Sequence, residues 1–419
     1  MVGMNRRHLL RATAASSIMT LGGCTGIVRN SGRAHPTAGR VTEWPSFRGD
    51  QHNTGFARDV PPTSPEPSIA WTYEADGPFW GSPVVANGTV YVGGVDSSVY
   101  AIDAETGTER WSFTTDHRVE GTPAVADGTV YIGSYDMHLY ALDATTGEQR
   151  WARDLGGLIR GSPTVEAGTV YIGVGCHNLA CAPFAEEAGV SKQGTIYALD
   201  AESGATNWRY PVDGEVVSTP ATNGETLYIG ASDEKLYALD VASGNPEWTY
   251  EAEDMVWSSP ALAFETLYFA DWNGLVYALD AGSGEELWIT DTVSDYISGS
   301  VAVDENALYI GNTPYNSLDD PSPNYGTLFK LDRTTGRERW AFETAAFEIG
   351  SSPVVSNERV YFGTHGQTGS EDVGVYSIST DGEQQWYRKV GGEGVGASPV
   401  LSDGMLYFAG TNSRVYAIE

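Results

Sequence analysis

Basic residues are scarce in this sequence, and lysine is the scarcest of them. Against 55 aspartates and glutamates stand 24 lysines and arginines, and the lysines are four: Lys192, Lys235, Lys330 and Lys389. A formal net charge of −31 repels phosphate backbones, which argues against nucleic acid as a partner. We interpret the acidic excess as the solvated surface of a protein from a halophilic proteome, since high salt screens the repulsion. Binding of a cationic partner is the alternative interpretation.

Long apolar runs are also missing, even at the N-terminus, where an export signal is expected. Asn5–Leu10 places an arginine pair before a short apolar run that is too weak to span a bilayer as a helix. This pattern resembles a twin-arginine (Tat) export signal. The run ends in Leu21–Cys24, LGGC, which resembles a lipobox and predicts lipidation of Cys24. A plain cleavable signal with an incidental cysteine is the alternative.

The residues after Cys24 show no apolar periodicity until about position 43, which is typical of a flexible spacer. Trp44–Phe56 reads WPSFRGDQHNTGF, and its aromatic residues indicate a segment that packs on something. Val60–Pro67 is rich in proline, and we expect it to be extended. The sequence therefore predicts a lipoprotein signal in residues 1–23, a lipid-anchored tether with the WPSFRG segment in 24–66, and one globular domain in 67–419.

One short stretch recurs along the whole globular part. Leu139–Trp151 reads LYALDATTGEQRW, and near-copies surround it on both sides. Each copy ends in a tryptophan, and four of the seven intervals between these tryptophans are 40 residues. A period near 40 residues with four strand-like runs is typical of a β-propeller. The tryptophans are Trp71, Trp111, Trp151, Trp208, Trp248, Trp288, Trp340 and Trp386.

Each period is interpreted as four strands, named A to D from the axis of the ring outward. A Ser/Thr-Pro dipeptide precedes strand A in seven of the periods, and proline opens a strand more readily than it occupies the middle of one. Eight strand-A starts and eight tryptophans predict an all-β fold, an eight-bladed propeller of four-stranded blades. The last blade lacks its strand D at the C-terminus. Ile69–Ala75 is expected to supply that strand and so to close the ring.

The repeated motif is interpreted as a structural joint. Its aspartate accepts backbone hydrogen bonds in a tight turn, its glycine supplies a positive φ, and its tryptophan covers the neighbouring blade. A catalytic aspartate is needed once, whereas this one occurs in six equivalent copies. The sequence thus predicts no catalytic residue here. The aspartates are Asp103, Asp143, Asp200, Asp240, Asp280 and Asp332.

The A-x-D-x-x-T/S-G-x-x-x-W copies resemble the tryptophan-docking repeat of pyrroloquinoline-quinone (PQQ) type eight-bladed propellers. WPSFRGDQHNTGF is similar to the segment that precedes the first blade in small members. The resemblance implies either a quinoprotein dehydrogenase that binds PQQ and Ca²⁺ or a cofactor-free, BamB-like lipoprotein. Family enzymes carry adjacent cysteines over the cofactor and a Glu/Asn/Asp set around Ca²⁺. No such set is found by position in this sequence, so PQQ and Ca²⁺ have no support and no cofactor is expected.

The departures from the 40-residue period all fall between strands B and C. They are Val174–Gly194, Asn312–Gly326 and Thr364–Gly374. In this strand order the B–C and D–A connections share one face of the disk, which marks that face as the binding surface. The mouth of the channel on that face is expected to be lined by residues just before strand A. The ligand-binding candidates are Trp80, Glu120, Arg160 and Trp257, with channel-filling side chains as the alternative interpretation.

Two of the three cysteines lie in the first of these insertions. Cys176 and Cys181 are an even pair outside the cytoplasm, which favours a disulfide that closes a small loop. His177 between them leaves a metal site as the alternative, with His117, His138 or His365 as further ligands. We predict no metal.

The sequence predicts an exported protein, lipid-anchored at the extracytoplasmic face of the cell membrane. Its predicted function is that of a non-catalytic binding or scaffold module for a protein, a peptide or a glycan. The alternative is a PQQ- and Ca²⁺-dependent quinoprotein dehydrogenase, in which the cofactor would carry out the chemistry.

Overall fold

A computed structural model of the chain describes residues 43–58, 63–64, 66–175, 193–292, 296–313, 325–346, 348–366 and 373–419. All regular structure in these residues is β-strand. The strands form eight sheets of four, one of which gains a fifth, two-residue strand. The predicted all-β, eight-bladed propeller of four-stranded blades is confirmed. No helix long and apolar enough to cross a membrane occurs in the described part of the chain.

The strands are numbered along the chain. Two precede the first blade: β1 (Phe56–Ala57) and β2 (Ile69–Glu74). Blade 1 contains β3 (Val84–Ala86), β4 (Thr89–Gly93), β5 (Ser98–Asp103) and β6 (Glu109–Thr114), and blade 2 contains β7 (Ala124–Ala126), β8 (Thr129–Gly133), β9 (His138–Asp143) and β10 (Gln149–Asp154). Blade 3 contains β11 (Thr164–Glu166), β12 (Thr169–Val174), β13 (Gly194–Asp200) and β14 (Thr206–Val212), and blade 4 contains β15 (Ala221–Thr222), β16 (Thr226–Gly230), β17 (Lys235–Asp240) and β18 (Pro246–Glu251). Blade 5 contains β19 (Ala261–Ala263), β20 (Thr266–Ala270), β21 (Leu275–Asp280) and β22 (Glu286–Asp291), and blade 6 contains β23 (Ala302–Val303), β24 (Ala307–Gly311), β25 (Thr327–Asp332) and β26 (Glu338–Glu343). Blade 7 contains β27 (Val354–Ser356), β28 (Arg359–Gly363), β29 (Gly374–Ser379) and β30 (Gln384–Lys389), and blade 8 contains β31 (Val400–Ser402), β32 (Met405–Gly410) and β33 (Arg414–Ile418).

Blade 2 shows how the residues of a repeat divide between the strands. All five residues of β8 are buried, because strand B lies between two neighbouring blades and is apolar on both faces. In β10, by contrast, Trp151 is buried between exposed Arg150 and half-buried Ala152. The pairing of β10 with β9 shifts register just before Trp151. The same β-bulge occurs in every outermost strand, where it turns the tryptophan toward the next blade.

Trp111 of blade 1 docks on the C–D turn of blade 2. Its indole Nε1 donates to the carbonyl oxygen of Ala144 at 3.0 Å, and the Tyr91 hydroxyl donates to the same oxygen at 3.0 Å. The indole also covers Gly147, where a Cβ atom would lie 2.7 Å from the ring. The glycine of the motif is therefore required twice, for its φ of 75° and for the space that the tryptophan fills.

The same joint recurs around the ring. In seven blades the indole donates, at 2.8 to 3.2 Å, to the carbonyl oxygen of the first turn residue of the next blade. Trp386 differs, because the corresponding turn of blade 8 is interrupted by the chain ends; it donates to Thr63 Oγ1 at 3.3 Å. The pairs are Trp71–Ala104, Trp111–Ala144, Trp151–Ala201, Trp208–Val241, Trp248–Ala281, Trp288–Arg333 and Trp340–Thr380.

The ring closes by pairing the two ends of the globular part. Strand β2 pairs antiparallel with β33, with Thr72 opposite Tyr416, and so completes blade 8 as its strand D. This closure was predicted from the sequence and is confirmed. A ring closed in this way leaves no blade with an unpaired neighbour.

Hydroxyl groups link the blades a second time around the channel. The backbone N–H of Ser82, just before strand A of blade 1, donates to Thr122 Oγ1 of blade 2 at 3.0 Å. Within the described residues, seven of the eight junctions show this bond, and Ser398 N–H of blade 8 donates to Ser82 Oγ at 2.9 Å. The Ser/Thr of each Ser/Thr-Pro dipeptide thus connects a blade with its neighbour.

We predict that Gly147→Ala destabilises the protein more than Gly168→Ala. Both glycines have a φ of 75°, so both variants carry the same backbone strain of about 1–2 kcal/mol. Nothing lies within 4 Å of a Cβ atom at Gly168, whereas the Trp111 ring lies 2.7 Å from one at Gly147. Displacement of the indole should add about 1–3 kcal/mol, measured by urea unfolding. Equal losses in the two variants would contradict the docking role of Trp111.

A second prediction concerns the carboxylate of the same turn. Asp143 accepts from Arg150 Nη2 at 2.7 Å and from the N–H groups of Thr146 and Thr145, which lowers its pKa to about 2. A pKa below the unfolded value of about 3.9 stabilises the fold above that pH, and the contribution is lost as pH falls toward 2. Asp143→Asn should therefore lower the urea midpoint at pH 7, and the difference from the parent should shrink between pH 4 and 2. Glu148→Gln, an exposed neighbour outside these bonds, is the control and should show no such trend.

Candidate functional site

The connections between strands sort onto two faces of the ring. Each B–C connection is hydrogen-bonded to the D–A connection that leads into strand A of the same blade. Examples are Ser232 N–H to Glu215 O at 2.9 Å in blade 4 and Trp272 N–H to Met255 O at 2.8 Å in blade 5. The face that carries both kinds of connection is called the rim face. The C–D turns bond to the A–B turns instead, as Ala144 N–H to the carbonyl of Gly128. The face that carries these turns is called the turn face.

All three long insertions belong to the rim face. They join β12 to β13, β24 to β25 and β28 to β29, each a B–C connection. Their interiors lie outside the described residues. The predicted disulfide of Cys176 and Cys181, the nearby His177 and the predicted lipidation site Cys24 also lie outside them. These stay predictions.

Eight equivalent residues, one per blade, lie two positions before the Ser or Thr that precedes strand A, and they surround the mouth of the channel. Large side chains occupy this position in blades 1, 2, 3 and 5, valine in blade 4, and small residues in blades 6 to 8. The Trp80 ring lies over Gly396, and the Glu348 carboxylate lies beside Gly350. In blade order the residues are Trp80, Glu120, Arg160, Val217, Trp257, Ser298, Gly350 and Gly396.

Three of the four predicted binding residues form one chain of contacts. Arg160 Nε lies 3.9 Å from Glu120 Oε2, and the guanidinium lies 5.6 Å from the centre of the Trp257 ring. Arg160 Nη1 also lies 3.3 Å from Oε1 of Glu215, a residue only 1% exposed. Burial alone would lower the pKa of Arg160, but Tyr135, Glu215 and Glu120 together raise it above its usual range. Arg160 is therefore a cation held in place by two carboxylates.

Glu120 is bound from its other side as well. It accepts from the Tyr135 hydroxyl at 2.5 Å, and Arg118 Nε lies 3.2 Å from it. The Arg118 guanidinium stacks over the Tyr135 ring at 4.2 Å. Burial raises the pKa of Tyr135, which keeps this phenol protonated. The charged groups of this half of the mouth are thus paired with one another.

An aromatic row extends the site over blades 5 and 6. Trp257 contacts Trp272 with ring centres 4.5 Å apart, and Trp272 contacts Tyr296 at 4.9 Å. The Trp257 indole donates to Ser232 Oγ at 2.9 Å. Trp272, Tyr296 and Glu215 were not among the predicted site residues. Aligning the D–A connections would have found two of them, since Tyr296 and Glu215 both lie two positions before the mouth residue of their blade.

Trp80 lies apart from that network and is the most exposed of the four candidates, at 42%. Its ring lies 5.3 Å from that of His365, near Gly396. His365 in turn lies between two carboxylates, 3.7 Å from Glu348 Oε2 and 3.6 Å from Glu393 Oε2. This half of the mouth therefore combines an exposed indole with acidic groups and small residues.

The opposite end of the channel is filled by the segment Trp44–Ala57, called the plug. It follows the inner edges of the A strands around the ring, and β1 adds to β27 as a fifth, parallel strand. N–H groups of strand A in blades 1, 2, 4, 5, 6 and 7 donate to plug carbonyl oxygens at 2.7 to 2.9 Å. The acceptors are the carbonyl oxygens of Trp44, Pro45, Gln51, His52, Thr54 and Gly55. The plug therefore covers strand edges that would otherwise be unpaired.

Asn53 fastens the plug to blades 4 and 5. Its Nδ2 atom lies 3.1 Å from each of three buried carbonyl oxygens, those of Thr219, Pro220 and Pro260. Proline residues open these A strands, so the adjacent backbone has few donors of its own. The amide of Asn53 supplies the missing donor.

Arg48 fastens the plug to blades 6 and 7. Its guanidinium donates to the carbonyl oxygens of Pro353 and Val301 and is 3% exposed. Burial lowers the pKa of Arg48 to about 9, against the opposing effect of Asp50. The guanidinium fills the space above Gly55, where a Cβ atom would overlap it. The aromatic residues of this segment predicted packing, but the sequence did not indicate the channel as its place.

The repeat, the docked tryptophans and the ring closure define a β-propeller of the PQQ-repeat type. The profile of the family described as "Outer membrane protein assembly factor BamB" matches residues 66–118, 95–178, 186–274 and 272–419. The chain belongs to this family. No curated protein matches the sequence.

Solved structures share the fold at low sequence identity. Quinohemoprotein alcohol dehydrogenase from Comamonas testosteroni is 19% identical, with a TM-score of 0.76 over 91% of this chain and 81% of that one. BamB from Moraxella catarrhalis is 18% identical, with a TM-score of 0.66 over 84% of this chain and all of that one. The computationally designed Ika8 protein is 14% identical, with a TM-score of 0.66 over 82% and 96%. An enzyme, an assembly factor and a designed protein share this fold, so it does not fix an activity.

The mouth is a poor fit for PQQ, which is itself a polycarboxylate. Both arginines of the mouth, Arg118 and Arg160, are already paired with carboxylates. Glu348 and Glu393 add further negative charge on the open half. Within the described ranges, no three His, Cys, Asp or Glu side chains are grouped to hold a metal ion. No reaction step through this cofactor is derived for the chain.

We predict that Asn53→Asp destabilises the protein by at least about 2 kcal/mol, since it replaces a donor facing three buried carbonyl oxygens with an acceptor. Asn53→Ala should be milder, because it brings no charge into the plug. Asn207→Asp adds the same charge at an exposed position and serves as the control. Urea unfolding at pH 7 measures all three variants. A loss in Asn53→Asp no greater than in the control would contradict the fastening role of Asn53.

Proposed function

We propose that this protein is an exported, membrane-anchored, non-catalytic binding or scaffold module. Its partner is a protein, a peptide or a glycan, and it binds at the mouth of the channel on the rim face. The observation that carries the proposal is Trp80, an indole 42% exposed at the open half of a concave mouth. Large exposed aromatic side chains at concave surfaces are favoured anchors for ligands.

The rest of the mouth supports recognition in preference to chemistry. Arg160 is held by Glu120 and Glu215, and Glu120 is held by Tyr135 and Arg118. Groups that neutralise one another in this way orient a ligand through fixed dipoles and do not supply a free base or nucleophile. Among the possible partners we favour a protein, because the family is described as an outer membrane protein assembly factor.

The described ends of the insertions lie on the rim face. In blades 6 and 7 they follow β24 and β28, and the same face carries Trp80 and His365. Connections that vary in length on one face of a propeller commonly carry its binding function. The proposed interface is therefore the mouth together with the rim face from which the insertions start.

Crosslinking in native membranes tests the proposal. The parent should capture a partner, and Trp80→Ala should reduce its recovery at least about tenfold, as expected for an aromatic anchor. Leu287→Ala removes an apolar side chain that is 54% exposed on strand β22 and is the matched control. Replacing each insertion by the short B–C connection of blade 2 tests the loops. Partners recovered equally with the parent, Trp80→Ala and all three replacements would show that the rim face is the wrong surface.

A further inference from the structure

The path of the plug determines the face at which the N-terminal chain joins the ring. Glu43 lies at the turn face, where its Oε1 accepts from the N–H of Asn87 in the A–B turn of blade 1. Trp44 then pairs antiparallel with Val85, with N–O distances of 2.7 and 2.8 Å. Strand A runs from the rim face to the turn face, so an antiparallel segment runs inward from the turn face.

The plug also leaves by that face. Strand β1 is parallel to β27 and so runs toward the turn face. Thr63 lies beyond it, and its carbonyl oxygen accepts from Arg359 Nη1 beside the A–B turn of blade 7. The plug therefore enters and leaves the channel at the turn face.

The plug is bound to most of the blades by hydrogen bonds. Six blades donate backbone hydrogen bonds to the plug, and Asn53 and Arg48 add side-chain bonds to four of them. Releasing Glu43 from the turn face requires breaking these bonds in a buried channel. The position of Glu43 near the axis of the ring is thus a fixed property of the folded domain.

A flexible tether that starts at this position reaches the turn face with less stretching than the other face. Cys24 lies 19 positions before Glu43. A chain of that length with a linker-like composition has a root-mean-square span of about 24 Å. To reach the rim face, the tether has to pass around the outside of a blade. That path crosses three strand spacings, about 14 Å, and the length of a six-residue strand, about 20 Å.

We propose that the anchored propeller turns its turn face toward the membrane and displays its rim face away from it. The proposal rests on the lipid anchor of the proposed function. It also specifies the partner of that function. The partner is a protein surface away from the bilayer and not a lipid headgroup. The mouth with Trp80 and the insertions then faces outward.

Energy transfer to lipid tests the orientation. The probe is the chain from Cys24 onward with Cys176→Ser and Cys181→Ser, coupled through Cys24 to a maleimide lipid in phosphatidylcholine vesicles that contain acceptor-labelled lipid. A fluorophore is attached by click chemistry to an azido amino acid at Thr145 on the turn face or at Asp116 on the rim face, both exposed residues of blade 2. We expect at least about twofold greater transfer from position 145. Equal transfer, or greater transfer from position 116, overturns the proposal.

The matched control lengthens the tether. Thirty Gly/Ser residues inserted before Glu43 raise the root-mean-square span to about 38 Å, so the contrast between positions 145 and 116 should fall. An unchanged contrast would show that the tether does not set the orientation. Natural anchoring is tested separately, by the membrane fraction of Cys24→Ala in cells. If that variant stays in the membrane as firmly as the parent, the lipid anchor of the proposed function is wrong, while the vesicle result still decides the orientation.

Discussion

The contact of a tryptophan with a glycine in the next blade is the interaction on which the rest of the structure depends. Gly147 leaves room for the Trp111 ring, and the carbonyl oxygen of Ala144 accepts from both Trp111 and Tyr91. Because the joint combines a van der Waals fit with a directed hydrogen bond, it sets both the distance and the angle between blades. Repetition of one angle around a circle determines how many blades fit, and the mouth residues take their mutual positions from that circle.

Two further sets of bonds complete the ring where the tryptophans do not reach. The Ser/Thr hydroxyls tie neighbouring blades at the channel wall, and the plug covers the inner edges of the A strands. The blades are thus joined near the periphery, at the wall and on the axis. The plug fills one end of the channel, and the mouth at the other end lies on the rim face, where the Trp80 indole is exposed.

The fold was predictable from the sequence because its determinants are local and repeated. The motif from Leu139 to Trp151 contains the turn, the glycine and the docking residue, and its copies indicate the number of blades and the closing strand. The site was predictable in part: Glu120, Arg160 and Trp257 lie together, but Glu215 comes from the D–A connection of blade 4 and Trp272 from a B–C connection. The positions of Asn53 and Arg48 in the channel were not predictable. Their partners Thr219, Pro260 and Pro353 lie more than 160 residues away, and no sequence motif identifies them as partners.

The closure of the ring has a consequence for the order of events during synthesis. The plug and β2 are made first, yet their partners extend to β33, the last strand. A nascent chain can pair Trp44 with Val85 early, but β2 stays unpaired until β33 has been made. Closure of blade 8 is therefore a late step. Export after folding, which the arginine pair near the N-terminus predicts, suits such a chain, because a half-translocated ring would hold its first and last strands on opposite sides of the membrane.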